Sequence, residues 1–326
     1  MGILIALLHD LPGWILISLG FYFAYRVLRF PDFTVDASYI IGTVATAFAA
    51  IHWSSSWAGL FFALFLGGFT GMVTSLVYLS NPRPSNKLLA GALVVFGAYS
   101  LNWRLLEKQT NVGFANESTF MNVLANYQAQ NFPHPWNIYR PLTWLVGVLL
   151  VVIVILAFTY LLRTQLGLKL RSVGTRPKLI SPVVFQQKFH LFLGLVISNM
   201  TVALGGWYLA SLNSFADLQQ FGTIIHALAA ALLGELLYER FKIGKDRRVS
   251  VSFLVVAPVL GATIYQATRA VIFWALSNKD LHGKELSINQ QDNNTSIAVL
   301  LLVSVWAVRY FTNRNYKIDM VEEGEF

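Results

Sequence analysis

The chain has 326 residues, 56% of them hydrophobic and 12% charged, with a mean hydropathy of +0.56, a formal net charge of +8 and no cysteine. That composition excludes an ordinary water-soluble globular domain, and the missing thiols exclude disulfide frameworks, thiolate metal sites and cysteine nucleophiles. The positive charge does not point to nucleic acid, because Lys and Arg are confined to short segments between apolar runs.

Apolar runs near residues 11–28, 37–53, 57–79, 88–103, 142–162, 190–211, 222–238, 251–276 and 296–312 predict about nine membrane spans of helical length. The first lacks a basic leader and a small-residue cleavage site, so it is expected to stay in place as a span. Leu142 to Leu162 is apolar on every face, which contradicts the alternation of a barrel strand. The expected fold class is therefore all-α: one polytopic transmembrane helical bundle over residues 1–326. Lys and Arg collect at Arg163–Lys188, at Arg240–Arg248 and in the tail from Arg309, and short cytoplasmic loops are enriched in them. This pattern puts the C-terminus in the cytoplasm, and puts the N-terminus and the loop 105–139 outside. Aromatic residues of that outer loop, Phe114, Phe120, Tyr127, Phe132 and Trp136, suit the membrane interface or a docking protein.

Three segments interrupt this regular pattern. The first is Arg29-Phe30-Pro31-Asp32-Phe33-Thr34-Val35-Asp36-Ala37-Ser38, which reads as a break. Pro31 cannot continue a helix, and Thr34 or Asp36 can accept from the free N–H groups of the next one. A helix start at bilayer depth would favour a carboxylate or another electronegative ligand group. The plainer alternative is a short cytoplasmic turn with an Asp cap. The second is Phe215-Ala216-Asp217-Leu218, which echoes Phe30-Pro31-Asp32-Phe33; Gly-Thr follows each, at Gly42-Thr43 and Gly222-Thr223. Entry of the two from opposite faces would make broken helices in a pseudo-inverted repeat, with the solute path between them. The third is the basic loop 164–189, within which Gln165 to Lys178 alternates apolar and basic residues before Gly174 and Pro177 punctuate it. A short helix there could present Leu170, Arg171 and Val173 to a partner.

From Gly20 through Gly234 the sequence resembles the permease subunits of branched-chain amino-acid-type ABC importers, and particularly the tryptophan- or tyrosine-type permeases related to them. The resemblance is carried by Tyr25 to Ser38, by Tyr99-Ser100-Leu101-Asn102-Trp103-Arg104, and by Gly167-Leu168-Lys169-Leu170-Arg171-Ser172-Val173-Gly174. Ala37 stands where the family's first motif has glycine, and Thr175-Arg176-Pro177-Lys178 is unusually basic. The resemblance implies a non-catalytic transport subunit in a bacterial cytoplasmic (inner) membrane. It further implies a cytoplasmic ABC ATPase, a second permease copy in a homodimer or related heterodimer, and an extracytoplasmic solute-binding protein, alongside membrane lipid. No Gly-x-x-x-x-Gly-Lys-Ser/Thr loop is present, so ATP and Mg would be bound by the partner ATPase and no cofactor by this chain. Gly167, Leu168, Leu170, Arg171, Val173, Gly174 and Pro177 would couple to that ATPase.

Polar residues inside apolar runs are costly and are default functional candidates. Glu235, His226 and Gln266 belong to this group, and the expected solute path takes in Phe30, Pro31, Asp32, Thr34, Asp36, Ser38, Asn102, Asn199, Phe215, Asp217 and Arg269. An ion-coupled secondary transporter is the rival reading, since it also uses broken helices and inverted repeats.

Overall fold

The computed structural model describes residues 2–55, 57–83, 85–117, 119–132, 141–175, 184–219, 222–241 and 251–277, with 302 and 306. The helices are α1 (Gly2–Tyr22), α2 (Thr34–Trp53), α3 (Ala58–Ser80), α4 (Asn86–Leu105) and α5 (Phe120–Asn131), then α6 (Pro141–Arg163), α7 (Gln165–Thr175), α8 (Val184–Asn213), α9 (Thr223–Phe241) and α10 (Val251–Ser277). Two short strands, β1 (Asn111–Gly113) and β2 (Phe215–Asp217), pair antiparallel with Val112 opposite Ala216.

Among the described residues six helices are long and apolar enough to cross a membrane: α2, α3, α4, α6, the Lys188–Asn213 part of α8 and the Val251–Val271 part of α10. The all-helical bundle is as expected, and the nine expected spans are not confirmed, six being found among the described residues. The apolar part of α9, Thr223–Tyr238, is a shorter helix. The run 11–28 is divided between α1 and a π-helical turn at Phe23–Val27, and the run 296–312 lies outside the described residues except for 302 and 306.

Helix α8 is the axis of the bundle, with α1, α2 and α3 packed along it. Lipid tails are as apolar as Leu, so burial does not draw helices together in a bilayer, and close contact between backbones does. Small residues at the contacts permit it. A Cβ on Gly71 would lie 2.4 Å from the Leu195 carbonyl oxygen, and one on Gly206 would lie 2.4 Å from that of Tyr39. Gly67 and Gly71 therefore seat α3 on α8, as their spacing suggests. The α9–α10 pair is tighter still, with Gly234 against the Ala257 carbonyl and Gly261 against that of Ala230.

The break between α1 and α2 is built by its sequence. The π turn closes with the Leu28 amide donating to the Phe23 carbonyl at 3.3 Å and the Phe30 amide to that of Ala24 at 3.0 Å. Arg29 then takes a left-handed conformation, φ 51°, which turns the chain, and Pro31 has no N–H with which to resume the ladder. Helix α2 begins at Thr34, three residues before the expected 37.

The segment 105–139 contains β1 and α5. Phe114 is buried, Phe120 meets Trp57 at a tilt with ring centroids 4.9 Å apart, Tyr127 is exposed and Phe132 is half-buried, while Trp136 lies outside the described residues. The two Phe-x-Asp segments differ in conformation. Phe30–Asp32 is irregular and buried, whereas Phe215–Asp217 is a strand held by β1.

Candidate functional site

The break is pinned by a buried polar network. Asp32 is fully buried, and its Oδ1 accepts the Thr34 amide at 2.9 Å and also the Thr34 hydroxyl. The Asn199 side chain of α8 donates from Nδ2 to Asp32 Oδ2 at 2.8 Å and to the Leu195 carbonyl at 2.9 Å. Asn199 Oδ1 accepts the Ser38 hydroxyl at 2.5 Å, and Ser38 in turn lies 2.6 Å from the hydroxyl of Thr70 on α3. A carboxylate in an apolar interior is tolerable only with such a set of donors. Four of the expected path residues, Asp32, Thr34, Ser38 and Asn199, thus meet in one place. Sequence reading missed Thr70; a hydroxyl between Gly67 and Gly71, in mid-run, was the available signal.

The network also fixes depth. Asn199 lies near the middle of α8 and Thr70 near the middle of α3, so α2 starts level with the midpoints of its neighbours rather than at their ends. Of the two alternatives the sequence leaves open, the start of α2 lies among the midpoints of α3 and α8, and its capping differs from the expected form. The residue before the helix, Phe33, gives no side-chain cap; Asp32 supplies the acceptor, and Asp36 is directed elsewhere.

Asp36 caps a different helix. Its Oδ1 accepts the Ile224 amide at 2.7 Å and its Oδ2 the Gly222 amide at 3.3 Å, so it closes the N-terminus of α9. Gly222 takes φ 101° at that point, a conformation open to glycine and strained for other residues. Two helix starts thus face each other through one carboxylate, in a region bordered by Trp14, which stacks on Tyr39 (centroids 6.2 Å) and meets His226 at a tilt (4.8 Å). The His226 ring nitrogen Nδ1 sits 3.0 Å from the Gly222 carbonyl, and Tyr265 meets the ring edge-on at 5.7 Å. The guanidinium of Arg269 lies 5.7 Å over the Trp14 ring and 3.4 Å from Gln266 Oε1. Arg269 therefore borders this cluster from α10.

The remaining path candidates are scattered. Phe30 is buried edge-on to Tyr78 at 5.2 Å, and Pro31 lines a groove with Arg29 and Arg171. Asn102 is buried on α4, its Oδ1 without a hydrogen bond among the described residues. Phe215 is exposed, and Asp217 accepts the Gln219 amide at 2.8 Å. Glu235 is held by the Tyr22 hydroxyl at 2.9 Å and by Arg26 Nε at 3.1 Å, which ties α9 to the π turn. Among the described residues no three His, Asp or Glu side chains gather to hold a metal ion.

The basic loop is helical as α7, and of the residues expected to face a partner, Leu168 is exposed whereas Leu170 and Val173 turn inward. Leu170 is buried against α8 and Val173 packs on the core, while Leu166, Leu168 and Lys169 are exposed. Residues three apart share a helix face, so Leu170 and Val173 must turn inward together. Arg171 Nη2 donates to the Leu162 carbonyl at 3.2 Å. A Cβ on Gly167 would lie 2.3 Å from the Leu161 carbonyl, so glycine permits the sharp corner from α6. Gly174 falls in the last turn of α7 with its surroundings outside the described residues, as is Pro177.

Comparison with known proteins places these features in context. The model of a family described as "Branched-chain amino acid transport system / permease component" matches residues 3–305. A "Tyrosine transport system permease protein" of Clostridioides difficile (strain R20291) is 28% identical over 271 residues, 80% of this chain and 79% of that protein. "Uncharacterized protein RP368" of Rickettsia prowazekii (strain Madrid E) is 30% identical over 240 residues, 73% of this chain and 79% of its own. No solved structure matches.

Proposed function

This chain belongs to the branched-chain amino acid transport permease family, and on that premise we propose that it is the membrane subunit of an ATP-driven importer of a small amino-acid-like solute. An aromatic or branched-chain amino acid is the proposed cargo; the name of the Clostridioides difficile relative supports the aromatic choice.

The observation that carries the proposal is the meeting of two helix starts at Asp36 inside the bundle. The two helix starts are already met by the carboxylates of Asp32 and Asp36, and the ring cluster of Trp14, Tyr39 and His226 beside Asp36 suits an aromatic or aliphatic side chain. In this reading a separate cytoplasmic ATPase binds ATP and Mg, a second permease copy completes the pore and an external binding protein delivers the solute. Helix α7 is the lever, with Leu166, Leu168 and Lys169 offered to the ATPase and Leu170 anchoring it to α8. Its displacement would bias two packed arrangements of the bundle and switch access between faces. The N-terminus then lies outside and the C-terminus in the cytoplasm.

The rival is an ion-coupled transporter, for which the buried Asp32 carboxylate is the supporting feature. Uptake by vesicles separates the two. The proposal expects uptake that requires the ATPase subunit and ATP; uptake that persists without either and collapses with a proton or sodium gradient would overturn it.

A further inference from the structure

Helix α9 is tied to the chain on both sides of the break. Before the break, Glu235 Oε1 accepts the Tyr22 hydroxyl at 2.9 Å and lies 3.1 Å from Arg26 Nε of the π turn. After it, Asp36 accepts the Gly222 and Ile224 amides. Phe253 of α10 joins the first contact, edge-on to Tyr22 with ring centroids 6.5 Å apart, and the Arg26 guanidinium lies 5.9 Å over its ring. Helices α9 and α10 are locked together, because the carbonyls of Ala257 and Ala230 leave no room for a Cβ on Gly234 or Gly261.

The two ties differ in strength. The Asp36 cap holds the amides of a helix N-terminus in charge-assisted hydrogen bonds. The Glu235 clasp joins side chains that are 39% and 20% exposed, and an exposed ion pair is weak. It also ends on a π-helical turn, a rare helix form that recurs at functional sites. A groove of about 670 Å³ reaches the clasp, with Arg26, Pro31 and Leu254 among its walls, so it runs along the seam between the π turn and α10.

We propose that the Arg26–Glu235 clasp is a gate at the cytoplasmic end of the solute path: the α9–α10 pair pivots on the Asp36 cap, and its seam with the π turn parts into the groove. Parting at the Asp36 end would strip two helix-start amides of their acceptor, whereas parting at the clasp frees polar groups that water in the groove can meet. Helix α9 leads toward the basic residues Arg240 to Arg248, which sets the clasp at the cytoplasmic side in the proposed orientation. The gate rests on the import function proposed above.

Thiol labelling tests it without cargo or ATPase. The chain has no cysteine, so one introduced cysteine is its sole thiol. Ala227 and Ala231 are buried on the same row of α9 as Glu235, with Ala231 one turn from the clasp and Ala227 beside the capped end. Purified full chain in lipid nanodiscs, carrying Ala231→Cys or Ala227→Cys, is treated with a water-soluble methanethiosulfonate and the labelling rate is read by mass. Arg26→Gln should speed labelling of Ala231→Cys by about two- to fivefold, the population shift that loss of an exposed ion pair permits, and should leave Ala227→Cys unchanged. Glu235→Gln, which still accepts from Tyr22, should speed it by less and replaces Arg26→Gln if that variant does not fold. An unchanged rate at Ala231→Cys would overturn the gate, and so would equal acceleration at both positions, which would mean that α9 loosens as a whole. Graded labelling together with failed vesicle uptake would overturn the import function and not the opening of the seam.

Discussion

The carboxylate of Asp36, in the first turn of α2, accepts the Ile224 amide of α9 at 2.7 Å, although 188 residues separate them. Asp36 thus serves as the cap of a helix other than its own. Loss of a side-chain cap costs roughly 0.5–2 kcal/mol. Asp36→Ala should lower the unfolding free energy in detergent by that amount, seen as a lower thermal midpoint, while Asp36→Asn, which keeps one acceptor oxygen, should recover most of it. An Ala variant as stable as the parent would remove the cap from the energetics of the fold.

The Asp32 network predicts a steeper response. Asn199→Ala removes a donor from Asp32 and the acceptor of Ser38, and each unsatisfied buried group costs about 1–3 kcal/mol. Folded yield should drop sharply. Asn199→Asp should be worse, since it sets a second carboxylate against Asp32, and Thr70→Val should be milder because it removes one hydroxyl contact. Equal yields for the three would mean that water or another group satisfies Asp32 in the membrane.

How far the sequence reveals this site can be judged at Asp36. Pro31 and the run of Asp, Thr and Ser after it made the break legible, because these residue types have fixed effects on the local backbone. The partner of Asp36 was not legible. Nothing in the spacing of residues 29–38 says that the start of another helix lies opposite. The same limit applies to α7, where alternation of apolar and basic residues left the inner face open and helical periodicity with packing on α8 turned Leu170 inward. Thr70, Tyr22 and Arg26 are tertiary partners, and nothing in their own segments names the groups they meet.

The glycines of the α9–α10 contact give a paired test. A Cβ on Gly261 would lie 1.7 Å from the Ala230 carbonyl oxygen, whereas one on Gly97 of α4 would meet nothing within 4 Å. Gly261→Ala should force the helices apart at a cost of about 1–3 kcal/mol or more. Gly97→Ala should be neutral or raise stability by up to about 1 kcal/mol, from helix propensity alone. Similar midpoints for the two variants would contradict the close α9–α10 contact.

Glu235 should contribute modestly. Its pairing with Arg26 is partly solvent-exposed, at 39% and 20% of the two side chains, so the ion pair adds about 0.5–1 kcal/mol at most. Glu235→Gln, which can still accept from Tyr22, should be milder than Glu235→Ala. A double-mutant cycle with Arg26→Ala would measure the coupling, and a coupling energy near zero would reduce the contact to an incidental one.

The proposed lever role of α7 is tested most directly by measuring ATP hydrolysis and uptake together in proteoliposomes holding this chain with the ATPase and binding protein proposed to serve it. Gly167→Leu fills the corner where a Cβ would already lie 2.3 Å from the Leu161 carbonyl, and so displaces α7 from α6. Hydrolysis should continue while uptake is lost, in a variant that still inserts and folds. Uptake at the parent rate in that variant would contradict the lever.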